Sequence, residues 1–195
     1  MHDIAAGAAP PSRGVAAPFR AAADLEPATA QAPAAADPLV DPGLRLQHAL
    51  DVSYRYLGRR DRTIVEMRRH LQAKRVEPGT IDEAVAELRE QGYLDDARYA
   101  ARFAEDRREL DAWGPDRIER KLLSAGVEPE LIAAALAARD GADELEAAVA
   151  VLRRRFPAPP EDDRARDRAL GMLVRKGYDL ELAYDAIRAL ERGDR

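Results

Sequence analysis

Apolar positions recur at spacings of three and four along most of this chain. Leu46, Leu50, Tyr54 and Leu57 form one set, Ile64, Met67 and Leu71 a second, and Ile81, Val85 and Leu88 a third. That period places each set on one face of a helix, whereas a half-buried strand needs strict alternation. No stretch of alternating β-branched residues competes, so the body from about residue 46 onward is expected to be all-α.

A longer period sets the architecture. Leu71, Leu122 and Leu173 stand 51 residues apart, and so do Arg75, Gly126 and Gly177. Val76-Glu77-Pro78, Val127-Glu128-Pro129 and Tyr178-Asp179-Leu180 follow in step, then Ile81, Ile132 and Ala183, then Val85, Leu136 and Ile187. The shared pattern is a helix end, a tight turn and a new helix. Glycine at the turn supplies the left-handed conformation that stops a helix, and an acid followed by Pro suits the first turn of the next. Arg75 stands where the other two copies have Gly, so that turn is expected to be strained or closed differently. A further helix precedes each pair, over about 46–58, 95–109 and 142–156. The expectation is an elongated, curved array of three tandem three-helix repeats, spanning 44–94, 95–141 and 142–195. The breaks fall at Gly92-Tyr93-Leu94-Asp95, Arg139-Asp140-Gly141 and Pro157-Ala158-Pro159-Pro160.

Residues 1–43 differ. They hold 15 Ala, 7 Pro and 3 Gly, with almost no periodic apolar face. Such a segment cannot offset its ordering entropy by burial, and a disordered tail is expected. His2 and Asp3 after Met1 give neither the basic start nor the apolar core of a secretory signal. No apolar run reaches the 18 or so residues of a membrane span, so a cytoplasmic protein without membrane contact is expected.

Catalytic chemistry is poorly represented. Cysteine is absent, which removes disulfides, thiolate metal ligands and thiol nucleophiles. His2, His48 and His70 are scattered and lack the His/Glu spacing of a zinc helix. There is no glycine-rich phosphate loop. Asp95-Asp96 and Asp162-Asp163 each stand where a helix should begin, and there acids cap free N–H groups. Neither an enzyme nor a cofactor is expected. Trp113, just before Gly114-Pro115, is expected to pack over that turn.

Charge is the informative feature. The formal net charge of −5, from 31 basic and 36 acidic residues, first speaks against a polyanionic partner. Its distribution says otherwise. From Arg55 to Arg75 eight cations face two acids, a local +6, whereas Glu77 to Asp96 carries −6. Smaller basic groups follow at Arg107-Arg108, at Arg117, Arg120 and Lys121, at Arg153-Arg154-Arg155 and at Arg175-Lys176. Only two of the eight cations in the first segment find an acid within it, and a basic face of this kind suits a phosphate backbone or an acidic protein groove. Aromatic residues for stacking bases are few: Tyr54 sits on the apolar stripe, and Tyr56 alone is a weak platform.

The run Leu88-Arg89-Glu90-Gln91-Gly92-Tyr93-Leu94-Asp95-Asp96-Ala97-Arg98-Tyr99-Ala100 resembles the central signature of the RecX family of bacterial recombination regulators. The resemblance continues through Phe103 and Arg107 to Gly114-Pro115-Asp116-Arg117-Ile118, Leu122, Gly126-Val127 and Ile132. Upstream, Ala49-Leu50, Tyr54, Leu57, Arg62, Glu66, Leu71 and Lys74 look like the family's first repeat. The third repeat follows the pattern less closely, and Pro157 to Pro160 interrupts it after its first helix. Such a resemblance implies tandem three-helix repeats that bind RecA protein and lie along the groove of the RecA–DNA filament. It implies modulation, mainly inhibition, of filament growth, ATP hydrolysis, strand exchange and co-protease action. A monomer with at most weak direct DNA contact is expected. The candidate filament-binding residues are Arg59, Arg60, Arg62, Arg68, Arg69, Lys74, Arg75, Arg117, Arg120, Lys121, Arg153, Arg154 and Arg155. The rivals are a helix-turn-helix-like DNA-binding regulator and a helical scaffold for another protein.

Overall fold

The structure, a computed structural model, describes residues 41–156 and 158–193. Residues 1–40 of the expected tail lie outside the described residues. The chain runs α1 (Pro42–Leu57), α2 (Ile64–Ala73), α3 (Pro78–Glu90), α4 (Asp96–Asp111), α5 (Pro115–Ala125), α6 (Pro129–Leu136), α7 (Gly141–Arg155), α8 (Asp163–Lys176) and α9 (Leu180–Arg192). No strand occurs among the described residues. Helix α1 starts earlier than its apolar stripe suggests: Asp41 caps it by accepting from the N–H of Gly43, and Pro42 fills its first turn. The expected tail therefore extends two residues too far, into Pro42 and Gly43.

Each repeat closes its own core. Met67, Leu71, Ile81, Ala84, Val85 and Leu88 bury together with Ala49 and Val52 of α1. Ala100, Ala104, Ile118, Leu122, Val127 and Ile132 do so in the second repeat. Ala148, Leu152, Ala169, Leu173, Tyr178, Ala183 and Ile187 do so in the third. In α1 the deepest positions are Ala49, Val52 and Ser53, with Leu46, Leu50, Tyr54 and Leu57 on the flanks. The large side chains mark the edges of that face, because small residues at its centre let α3 approach closely. Ser53 stays satisfied by donating to the carbonyl of Ala49 at 2.8 Å.

The 51-residue register holds in atomic detail. Leu71, Leu122 and Leu173 are each fully buried. Arg75, Gly126 and Gly177 all have left-handed backbones, with φ of 61°, 83° and 94°. At each turn the residue after them donates back to that leucine: Val76 to Leu71, Val127 to Leu122 and Tyr178 to Leu173, at 3.1, 3.1 and 3.2 Å. This six-to-one bond closes a helix in the Schellman manner. The Arg75 turn is thus closed like its two counterparts, with the strain of a side chain in left-handed backbone.

Neighbouring repeats meet at a joint that recurs in the same register. At the first joint the hydroxyl of Thr63 donates to the carbonyl of Ala125 at 2.6 Å. At the second, the backbone N–H of Gly114 donates to the carbonyl of Lys176 at 2.9 Å. Thr63 and Gly114 are equivalent N-caps, and Ala125 and Lys176 are equivalent last residues of the middle helix. One donor is a side chain and the other backbone, yet the geometry is shared. Both joints are tight. A methyl on Gly126 would overlap Val65 of the preceding repeat, and one on Gly177 would overlap Arg117.

Candidate binding site

The acids at helix starts behave as caps. Asp95 accepts from the N–H of Arg98 at 2.8 Å, and Asp162 accepts from that of Ala165. Asp96 does something the sequence did not disclose. It is buried, and its carboxylate accepts the N–H of Ile64 at 3.0 Å, so it caps α2 from the neighbouring repeat. Burial raises its pKa, while the Ile64 bond opposes that shift. No group of three or more His, Cys, Asp or Glu side chains able to hold a metal occurs among the described residues.

Repeats two and three share a buried charge pair. Arg108 of α4 and Glu144 of α7 approach to 3.1 Å, with side chains 6% and 7% exposed. Arg108 also donates to the carbonyl of Leu136 at 2.9 Å, at the C-terminal end of α6. One guanidinium thus ties three helices across the joint. Burial raises the Glu144 pKa, and the Arg108 charge opposes it. Tyr178, beside this pair, is pushed up to about 12 by burial and by the Glu144 charge. Arg107 and Arg117 lie over the ring of Trp113, at 5.6 and 4.1 Å from its centroid. Trp113 therefore packs at its turn as expected.

The candidate cations fall into distinct settings. Arg60 pairs with Glu66 at 2.7 Å, and Arg68 pairs with Asp82 of α3. The +6 and −6 segments therefore partly neutralise each other, a pairing invisible along the chain. Arg117 is engaged at the joint, donating to the carbonyl of Arg175 at 3.2 Å. Arg120 donates to the carbonyl of Asp116, and Lys121 is exposed beside it. Arg153, Arg154 and Arg155 are exposed in the last turn of α7, where they complement the helix dipole. Arg69 and Arg75 are exposed on and just after α2.

Another set converges. A groove of about 480 Å³ between α1 and α2 is lined by His48, Val52, Arg55, Tyr56, Arg59, His70 and Lys74. Tyr56 stacks flat on His70 at 3.9 Å between centroids, and Arg62 lies over the Tyr56 ring at 3.9 Å. Tyr56 is thus enclosed, half-buried and unavailable to a nucleobase. Of these residues Arg59, Arg62 and Lys74 are among the candidates, whereas Arg55, counted in the basic segment, and His48 and His70, weighed only as metal ligands, stand outside that set. Their signal is helical spacing: His48, Val52, Arg55 and Arg59 on one side, His70 and Lys74 on the other.

The fold and this surface define a tandem three-helix repeat protein whose distinguishing chemistry is displayed charge. Protein-family models for the first, second and third three-helix domains of RecX match residues 49–88, 95–136 and 142–187. The chain is 38% identical to the regulatory protein RecX of Trichlorobacter lovleyi over 133 residues, covering 66% of this chain and 86% of that one. It is 33% identical to that of Mycolicibacterium smegmatis over 154 residues, covering 75% and 81%. Among solved structures, RecX from Lactobacillus salivarius superposes with a TM-score of 0.69 at 18% identity, covering 77% of this chain and 99% of that one. Another regulatory protein RecX gives 0.63 at 23%, covering 75% and 73%. The chain belongs to the RecX family of regulatory proteins. That is not a family of enzymes. The third repeat, less regular in sequence, is matched by its own domain model.

Proposed function

We propose that this protein binds RecA and the RecA–DNA filament in the cytoplasm and restrains filament growth, ATP hydrolysis, strand exchange and co-protease action. The observation that carries the reading is the repeated joint. Three units with separate cores are fixed in series by equivalent contacts, Thr63 to Ala125 and Gly114 to Lys176. A chain of like units suits a target that is itself a row of like protomers. Several weak contacts along it raise avidity without any strong single one. Bridging of neighbouring protomers opposes the motions that hydrolysis requires, and a molecule at a filament end blocks addition. Arg59, Arg60, Arg62, Arg68, Arg69, Lys74, Arg75, Arg117, Arg120, Lys121 and Arg153 to Arg155 supply the cationic surface in this reading.

The test is RecA ATPase on single-stranded DNA with sub-stoichiometric protein added. Inhibition is expected. Unchanged hydrolysis would remove the proposal, and salt-sensitive, sequence-selective binding to naked duplex would put a DNA-binding regulator in its place.

A further inference from the structure

The α1–α2 groove carries an unusual balance of charge. Its lining brings together two histidines, two arginines and a lysine, with no carboxylate among the described residues that line it. No ion pair among the described residues uses Arg55, Arg59 or Lys74. Acids on the flanking segments are engaged elsewhere: Asp51 with Gln47, Asp61 with Arg102, Glu66 with Arg60, Asp82 with Arg68, and Glu77 with Arg45. Arg55 donates Nε to the carbonyl of Asp51, which fixes the stem while its remaining N–H groups stay free to turn toward the groove.

The arrangement around His70 points the same way. It lies in the last turn of α2, where the helix dipole favours imidazolium. Its pKa is nevertheless lowered, first by burial and then by the charges of Lys74, Arg62 and Arg59. Lys74 caps the C-terminal end of the same helix, Arg59 and Arg62 stand on the connection from α1, and His48 and Arg55 on α1 itself. The α3 acid nearest in the ion-pair network, Asp82, is paired with Arg68. Burial first, and the surrounding cations after it, disfavour the imidazolium, and the component that would balance those cations is an anion.

We propose that this groove is an oxyanion site for a phosphate ester, held by Arg55, Arg59 and Lys74, with His48 and His70 lining it beside them. Its volume of about 480 Å³ accommodates a group of nucleotide size. The class follows from the donors and the ring. Several cations converging from three segments suit a tetrahedral anion with many acceptors better than a two-oxygen carboxylate. Tyr56, covered on one face by His70 and on the other by Arg62, has no face for a base, so recognition falls on the phosphate. Binding relieves the repulsion on His70 and draws a proton onto it. By linkage, affinity then falls as pH rises past the midpoint of the free protein's His70. This inference deepens the filament-binding reading, but its test uses the chain without RecA.

Inorganic sulfate is the first probe, because its charge is constant between pH 5.5 and 8. Histidine ring resonances of the full chain are followed by NMR, with His70→Gln giving the assignment. Saturating sulfate is expected to raise the His70 midpoint, and sulfate affinity to fall by about tenfold across that range. The double variant Arg59→Gln/Lys74→Gln is expected to lose at least about tenfold in sulfate affinity with unchanged circular dichroism. A 5′-phosphorylated oligonucleotide compared with its unphosphorylated twin then separates sources: preference for the first assigns a terminal phosphate, and equal binding a backbone phosphate. An unmoved His70 midpoint, a double variant that binds sulfate normally, or tighter binding of polyglutamate than of either oligonucleotide overturns the proposal. If the double variant loses sulfate but still co-sediments with RecA filaments, the groove is a phosphate site separate from the filament interface. If sulfate binds as expected and the unaltered chain ignores RecA, the filament reading fails alone.

Discussion

Replacing Arg108 by Met should destabilise the joint between repeats two and three in a pH-dependent way. Arg108 and Glu144 are 3.1 Å apart with side chains 6% and 7% exposed, so the Arg108→Met variant leaves a carboxylate in a dry site. Removing one partner of a buried pair costs about 3–5 kcal/mol. The volume of the Arg stem is largely kept, but the bond to the carbonyl of Leu136 is also lost. The Glu144 pKa is already raised by burial, against the opposing pull of Arg108. Without the guanidinium it rises further. A carboxyl whose folded pKa exceeds its unfolded value loses stability as pH climbs from the unfolded value through the folded one. The variant's deficit should therefore be larger at pH 8 than at pH 5, because lowering the pH favours the uncharged acid that the dry site tolerates. Urea unfolding followed by circular dichroism at both pH values measures it, with Trp113 fluorescence reporting on repeat two. An equal deficit at both pH values, or one below about 1 kcal/mol at pH 8, would refute the assignment of this pair as a buried, desolvated tie.

Two further substitutions probe the register. Gly177→Ala places a methyl against Arg117 in backbone at φ 94° and should cost more than about 2 kcal/mol by urea unfolding, loosening the second joint. Arg75→Gly should raise stability by up to about 1 kcal/mol, because the turn keeps its bond from Val76 to Leu71 and sheds left-handed strain; a fall in the thermal midpoint would show that the Arg75 side chain matters more than its backbone.

Much of the fold could be read along the chain because its determinants are local or periodic. Leu71, Leu122 and Leu173 mark the register, the turns after them mark helix ends, and Asp95 and Asp162 mark starts. Arg75 at a glycine position left two outcomes open, strain or a different closure, and the structure shows left-handed backbone with the closure unchanged. What stayed hidden depends on contacts far apart in sequence. Asp96 looks like the second half of an acidic cap, but its carboxylate serves Ile64, 32 residues upstream. Arg108 and Glu144 look like ordinary surface charges on two helices, and only the meeting of repeats two and three buries them. The basic segment was legible as composition, and its division was not. Arg60 and Arg68 are paired off, whereas Arg59 and Lys74 meet His48, Arg55 and His70 across a groove formed only when α1 and α2 pack.

Co-sedimentation with RecA filaments on single-stranded DNA, with and without bound nucleotide, tests the central reading most directly. The chain should pellet with nucleotide-bound filaments, and charge reversal at Arg68, Arg69 and Arg75 should weaken that binding while leaving helicity unchanged. A chain that stays in the supernatant at every filament concentration would contradict the account.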